Sequence, residues 1–529
     1  MSGTTFGRME KHEVLIVGGG VVGLSAALFL LQQGIKPLLV ERHKGTSIHP
    51  RARGFDVRSM ELFRELGLGE AIREAGKALA PAWGILNDDS LASALQKRKP
   101  AKDGGGPEKL FGRNGLSELS PTTGARCTQD LSEPVLLAAA RERGADIRFY
   151  TELVSFTQDA TGVSAVLRDR ESGVEEAVRA SYMLACDGAK SPVRSALQAG
   201  TVGRGAISSL LNIYFEAPLG EYVRGKEFSI LLIRKPHLRG MLTAINNDDR
   251  WVFHLYNGEG CSEEEIKEVL QEVIGIRGVD VRILSILPWQ PTVKVVENMQ
   301  HGRVFLAGDA AHVMTPYGGK GANTGVQDVH NLAWKLAAVS RGQADPLLLE
   351  TYSRERQPVG LRNALRSGRW ADRYGLLKRN PVMVMKMIGW VLIVKLLNLL
   401  GLRALGRRAA WKGIGDLAGL PVYRYGNGGR SGRGVRLPHL RMSGDISTLD
   451  LVGKGFVLLT SEQRWKEAAL PVGNIMVHEA GAAYKKLGIK PDGAVLVRPD
   501  GFILWKSKGM VNDPRASLKA ALQTLFIQS

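Results

Sequence analysis

The stretch that most constrains this chain lies near its start, where an apolar, β-branched run ends in glycines. Glu13 to Gly19 reads EVLIVGG, and Gly18-Gly19-Gly20-Val21-Val22-Gly23 has the spacing GxGxxG. Leu24 to Gln33 then reads as an apolar helix closed by Gly34. Pro37 to Val40 reads as a second strand, ending at Glu41, 23 residues beyond Gly18. Strand, glycine turn, helix, strand and acid, in that order, make a dinucleotide-binding βαβ unit. Gly18 permits the tight turn, Gly20 lets backbone approach a pyrophosphate, and Gly23 lets helix pack on strand. The helix N-terminus offers unpaired N–H groups and a positive dipole end to phosphates. Glu41 suits a ribose diol and would repel a 2′-phosphate, so NADP is the occupant this site fits least. The motif does not by itself separate FAD from NAD.

Two later motifs narrow the reading. Gly302 to His312 (GRVFLAGDAAH) is an apolar strand that delivers Gly308-Asp309 to a loop. The loop Thr315-Pro316-Tyr317-Gly318-Gly319-Lys320-Gly321-Ala322-Asn323-Thr324-Gly325 then opens a helix over Val326 to Val339. A glycine-rich loop that opens a helix offers backbone N–H groups to something electron-rich. Between this and the first motif lies Tyr182-Met183-Leu184-Ala185-Cys186-Asp187-Gly188-Ala189, with Ser191 and Arg194 just beyond.

With these motifs in this order, the chain resembles the single-component (class A) FAD-dependent aromatic hydroxylases of the para-hydroxybenzoate hydroxylase type. The resemblance runs from Glu13 to Arg366 and rests on four motifs: GxGxxG with Glu41, Gln129 within Arg126-Cys127-Thr128-Gln129, Asp187-Gly188, and Gly308-Asp309. It implies an α/β fold, with a discontinuous Rossmann-like FAD-binding domain over 1–375 and an interleaved β-sheet substrate domain around 195–290. It also implies the cofactor contacts. Gly18, Gly20, Val22, Gly23, Glu41 and Arg42 lie at the ADP end. Arg51 sits near the pyrophosphate, with Arg53 as the alternative. Gln129 and Asp309 attend the ribityl chain, and Asp187 belongs to a motif tied to both FAD and NAD(P)H. Gly321, Ala322 and Asn323 form the helix start that faces the pyrimidine end of the flavin, where reduced flavin carries negative charge. Pro316 borders the reacting edge, and the Pro316–Tyr317 loop is the nearest thing to a catalytic element.

The activity so implied is monooxygenation: NAD(P)H reduces FAD, O2 reacts, and a phenolic or polyketide-like ring attacks a flavin hydroperoxide. A phenol reacts faster as phenolate, so a base or proton relay is expected. No residue stands out for it. His312 reads as structural support near the flavin loop, and His254, Tyr256 and Tyr317 as packing residues of the pocket. Alternating or apolar runs at Ile213 to Phe215, Ser229 to Arg234, Met241 to Ile245 and Trp251 to Tyr256 suit a sheet that walls the substrate pocket.

The remainder supplies context. A length of 529 residues implies two or three domains. KPAKDGGGPEK at 99–109 reads as a mobile surface loop. Pro381 to Leu402 is a 22-residue apolar stretch with only Lys386 and Lys395 as charges and basic flanks. It suits either a helix buried between domains or across a homodimer, or an interfacial helix giving peripheral contact with anionic lipid. A linker at 426–434 leads into 427–529, which resembles the thioredoxin-like C-terminal domain of the larger aromatic and polyketide hydroxylases. Its Ala494 to Arg498 and Phe502 to Trp505 runs read as a hairpin. Cys127, Cys186 and Cys261 are all outside it, which excludes a dithiol redox role there, and no cluster suggests a metal. The net charge of +19 comes without any nucleic-acid motif. No apolar leader is visible in Met1 to His12, so a cytoplasmic enzyme, or one resting on a membrane, is expected. The competing reading is a flavin-dependent epoxidase or oxidoreductase acting on a lipophilic or quinone-type substrate at a membrane surface. A halogenase lacks its tryptophan motif here, and a non-enzymatic flavin sensor would show no turnover.

Overall fold

The structure is a computed structural model that describes residues 10–79, 84–99, 119–378, 389, 392–393, 396–397, 399–401, 420, 425, 434–442, 446–470 and 475–527. Its first layer is a mixed eight-stranded sheet whose central strands, around β1 (Glu10–Val17), run parallel. Val14, Leu15 and Ile16 are fully buried because helices and strands cover β1 on both faces, as parallel sheets require. Helix α1 (Val21–Gln32) leads to β2 (Leu38–Glu41), which pairs with β1 in register Leu15↔Leu38. Helix α2 (Gln129–Glu142) packs against α1. Strand β3 (Glu175–Ala185) lies on the other side of β1, in register Leu15↔Met183.

A second, six-stranded sheet is formed by β4 (Leu210–Glu216), β5 (Ile230–Arg234), β6 (Arg239–Ala244), β7 (Arg250–Tyr256) and β8 (Arg282–Trp289), with Ile85–Asn87 added at the edge of β5. That edge strand comes from outside the 195–290 span and has no alternating pattern to announce it. The rest of the sheet is covered on both faces for much of its length, as in β5 and β6, whose central residues are all buried. Ile213, Phe215, Leu231, Ile233, Trp251, Phe253 and Leu255 point to a core shared with helix Glu263–Ile274. Asn212, Thr243, His254 and Ser285 sit at the opposite phase, on the face turned toward the first layer.

The chain then returns to the first sheet through β9 (Val304–Leu306), paired with β3, and runs into α3 (Gly321–Ser340) and α4 (Glu350–Gly368). α3 packs against α1 and α4. Three elements meet tightly here. A Cβ on Gly308 would stand 2.9 Å from Val22 Cγ2, and one on Gly325 2.5 Å from the same atom.

The C-terminal part is a four-stranded sheet in the order Ile475–Glu479, Phe456–Thr460, Ala494–Val497, Ile503–Ser507. The first two strands are parallel and the last two form an antiparallel pair. Buried charges seat this part on the rest. Arg436 pairs with Glu61, and Arg498 reaches Glu355 and Asp500, with Lys335 2.8 Å from Glu355. Most of 381–402, the 99–109 loop apart from Lys99, and the 426–434 linker apart from Gly434 lie outside the described residues. Of the apolar stretch, Leu392, Ile393, Leu396, Leu399 and Leu400 are exposed. Among the described residues no helix is long and apolar enough to cross a membrane.

Candidate active site

A cavity of about 2840 Å³ runs from the GxGxxG turn to the face of the second sheet that carries Asn212, Thr243 and His254 among Leu232, Met241 and Val252. Ordinary ligand pockets hold about 300–1,000 Å³, so this one has room for a dinucleotide and a ring system together.

At its nucleotide end the turn is built as its glycines require. Gly18 sits at φ +107°, and a Cβ there would lie 2.4 Å from the Cys186 carbonyl oxygen. A Cβ on Gly23 would meet Gly18 O at 1.9 Å. Gly20 is the N-cap of α1 and has no side-chain cap. Glu41 accepts from the amide of Gly19 at 2.6 Å and from the amide of His43 at 2.9 Å. Arg42 and Arg51 are exposed side chains on the cavity rim, whereas Arg53 is directed elsewhere. Its guanidinium donates to Ser229 O, Ala244 O and Ser229 Oγ at 3.1, 3.0 and 2.8 Å, on the second sheet. Arg51, not Arg53, therefore stays free to approach a pyrophosphate.

One residue here escaped the sequence reading. Glu133, one helical turn beyond Gln129, accepts from Gln129 Nε2 at 2.6 Å, Val21 N at 3.0 Å and Ser47 N at 2.7 Å. So the first amide of α1 is already held by protein, and not every N–H at that terminus is free. Burial raises the Glu133 carboxyl, with the three donors working against it. The i, i+4 pair Gln129/Glu133 was the available signal.

In the middle of the cavity stand Asp187 and Asp309. Asp187 Oδ2 accepts from Val193 N at 3.1 Å, while its Oδ1 is buried without a hydrogen-bond partner among the described residues. Asp309 projects into the cavity from the wall formed by the Gly308 loop. The protein around it raises its carboxyl, and the charges of His312, Arg51 and Arg194 oppose that rise. Below it, buried Asp328 accepts from the Gly308 amide at 3.3 Å and lies 2.6 Å from His312 Nε2. This gives His312 the structural role expected of it.

At the far end, α3 begins at Gly321 with no side-chain cap, so its first amides open onto the cavity. Asn323 spends its side chain on protein: Oδ1 accepts from Asp56 N at 2.9 Å and Nδ2 donates to Gly319 O at 2.7 Å. Only its backbone is left for a ligand. Pro316 lines the cavity, but the Tyr317 hydroxyl donates to Gly375 O at 2.7 Å, and burial pushes its phenol up. That arrangement anchors the loop and does not supply a base.

The orphaned oxygen of Asp187, the Asp309 carboxylate, the glycine turn before α1 and the uncapped start of α3, all facing one cavity, form a donor and acceptor set that fits FAD. A family model described as FAD binding domain matches residues 11–367, and one described as aromatic-ring hydroxylase, C-terminal, matches 431–528. The chain belongs to the FAD-dependent aromatic hydroxylases. This hydroxylase is 35% identical to the tetracenomycin B2 monooxygenase-dioxygenase of Streptomyces olivaceus, over 98% of its own length and 100% of the relative. It is 36% identical to the 4-methyl-5-nitrocatechol 5-monooxygenase of Burkholderia sp, over 97% of each chain. Among solved structures it resembles the flavin-dependent monooxygenase PieE in complex with FAD and substrate. That match has TM-score 0.77 and 28% identity, over 98% of this hydroxylase and 99% of that chain.

Proposed function

We propose that this hydroxylase uses NAD(P)H and O2 to hydroxylate a phenolic ring of polycyclic, polyketide-like size, bound between the flavin and the cavity-lining face of the second sheet. The observation that carries this is the continuity of the cavity. The same space touched by Glu41 and Asp309 extends to Asn212, Thr243, His254 and Trp289, so a cofactor in the first part leaves a room walled by the sheet. The names of the relatives support an aromatic substrate, in one case a tetracenomycin and in the other a nitrocatechol.

FAD supplies the passage of electrons to O2 and the insertion of one oxygen atom; the chain binds, orients and keeps water out. In this reading Gly18, Gly20 and Gly23 bring backbone up to the ADP half, with Val22 at the edge of that turn. Glu41 takes the ribose diol, and Arg42 and Arg51 attend the phosphates. Gln129, Asp187 and Asp309 take hydroxyls of the ribityl chain, Asp187 also standing where NAD(P)H approaches. The backbone of Gly321, Ala322 and Asn323 faces the pyrimidine ring, and Pro316 borders the reacting edge. The C-terminal sheet, with its parallel pair followed by an antiparallel pair, supports a thioredoxin-like domain that serves as scaffold.

The test is NADPH and NADH oxidation under air by the FAD-loaded protein, with phenols, catechols and polycyclic hydroxyaromatics, and peroxide measured in parallel. A compound that raises the rate and leaves a product heavier by one oxygen atom establishes the reading. Oxidation that no aromatic stimulates, together with stimulation by quinones or polyenes, overturns it in favour of the lipophilic-substrate oxidoreductase.

A further inference from the structure

The wall that faces the substrate room carries one pair that packing does not explain. His254 on β7 and Asn212 on β4 are cross-strand partners, and Nδ1 of the imidazole lies 2.5 Å from Asn212 Oδ1. A carboxamide oxygen only accepts, so Nδ1 carries the proton and Nε2 is left with its lone pair; a hydrogen bond to one ring nitrogen sets the tautomer in this way. Among the described residues Nε2 has no hydrogen-bond partner, and it is not one of the buried unpartnered atoms, so it opens onto the cavity that His254 lines. The ring itself is steadied by Trp289, 5.7 Å away between centroids.

We propose that His254 Nε2 is the acceptor that recognises a free aromatic hydroxyl on the substrate, with Asn212 fixing its tautomer.

Arg53 completes the arrangement. Its described partners, Ser229 and Ala244, are neutral, so its charge is not cancelled next to the imidazole. Burial, then the charges of Arg53 and His49, hold His254 down at about 3, and the ring stays a neutral acceptor instead of becoming a donor. The hydroxyl donates a hydrogen bond and keeps its proton. An ether or a hydrogen at that ring position would leave the acceptor unpaired, which costs about tenfold in affinity.

This rests on the aromatic-hydroxylase reading above, and its experiment separates the two. The FAD-loaded wild type and His254→Phe, which keeps an aromatic ring against Trp289, are titrated with 2-hydroxyanthraquinone and 2-methoxyanthraquinone. The change in the visible flavin spectrum reports binding. The expected result is about tenfold tighter binding of the hydroxy compound by the wild type, a preference lost in His254→Phe, while the methoxy Kd moves less than about twofold. His254→Gln, which keeps an acceptor oxygen, recovers part of the preference, and Asn212→Leu, which frees the tautomer, weakens it. If His254→Phe fails to retain FAD, the Gln and Leu variants carry the comparison. Equal loss of both probes, or a hydroxy preference that survives the substitutions, overturns the role of His254 and leaves the hydroxylase reading intact. A wild type that binds neither probe overturns both.

Discussion

Nε of Arg356 sits 2.8 Å from Oδ1 of Asp328, and neither side chain has any exposed surface. Oδ2 of the same carboxylate takes His312 and the Gly308 amide, so one group ties the loop that presents Asp309 to both α3 and α4. Arg356 also donates to the Tyr425 hydroxyl at 3.0 Å, and the Tyr425 ring lies 4.1 Å from that of Phe502 in the C-terminal part. Burial pushes the Asp328 carboxyl up, but the charges of His312 and Arg356 outweigh it and hold the group ionised. Asp328→Ala removes a carboxylate that faces Arg356 in the core, a loss of about 3–5 kcal/mol. Urea unfolding is expected to show it, together with a lower flavin-to-protein ratio. A variant with unchanged midpoint and full flavin content would deny Asp328 this role.

Glu41 is the residue whose removal isolates the nucleotide contact. Its carboxylate organises the turn through the Gly19 amide at 2.6 Å, and the proposed ribose contact would add to that. A hydrogen bond to a charged group contributes about 1.5–3 kcal/mol, so Glu41→Ala is expected to weaken FAD binding about 10- to 100-fold. Reconstitution of apoprotein, followed by quenching of flavin fluorescence, measures it. Gly18→Ala should fail more completely, since a Cβ at φ +107° meets the Cys186 carbonyl. An alanine there that binds FAD normally would mean the turn is not the one described.

The glycine turn and the α/β layering were legible because they are local. Gly18 to Glu41 specifies its own geometry within one βαβ unit, and β4 to β8 show themselves as short apolar runs broken by Asn212, Thr243, His254 and Ser285. What stayed hidden depends on distance along the chain. Glu133 matters because Val21, 112 positions away, donates to it, and nothing in α2 advertises that partner. Asp328 looks like an ordinary polar residue of an apolar helix until His312 and Arg356 are folded onto it. Arg51 and Arg53 look alike in sequence; only the packing of the second sheet assigns Arg53 to Ser229 and Ala244. Val22, read as a cofactor contact, is also a wedge between Gly308 and Gly325, two glycines that meet only in three dimensions.

The three cysteines provide a test of burial that needs no mutation. Cys127 is fully buried, and burial, aided by Asp130, pushes its thiol up to about 12. Cys186 sits beneath the glycine turn, where burial, Asp187 and Asp328 also raise it. Cys261 is exposed. Since the thiolate is the nucleophile, iodoacetamide at pH 8 should label Cys261 alone in the folded holoprotein and all three after denaturation. Peptide mapping reads the sites. Rapid labelling of Cys127 in the native state would contradict the packing of α2.

His49 should make the apoprotein acid-labile. Both ring nitrogens are buried without a hydrogen-bond partner among the described residues, beside Tyr214 at 5.5 Å. Burial, then the charge of Arg51, hold its pKa at about 4, with Asp130 opposing; His254, itself neutral, is the other titratable group nearby. The unfolded chain returns His49 to its ordinary value near 6.5, so between the two values the unfolded state binds more protons. By linkage the contribution is fully present above about pH 6.5 and is lost as the pH falls toward about 4. Urea midpoints of the apoprotein should therefore drop on acidification from pH 7.5 to 4.5, and drop less in His49→Gln, which has nothing to protonate. Parallel declines in the two proteins would show that the fall comes from other groups and that His49 is already solvated in the native state.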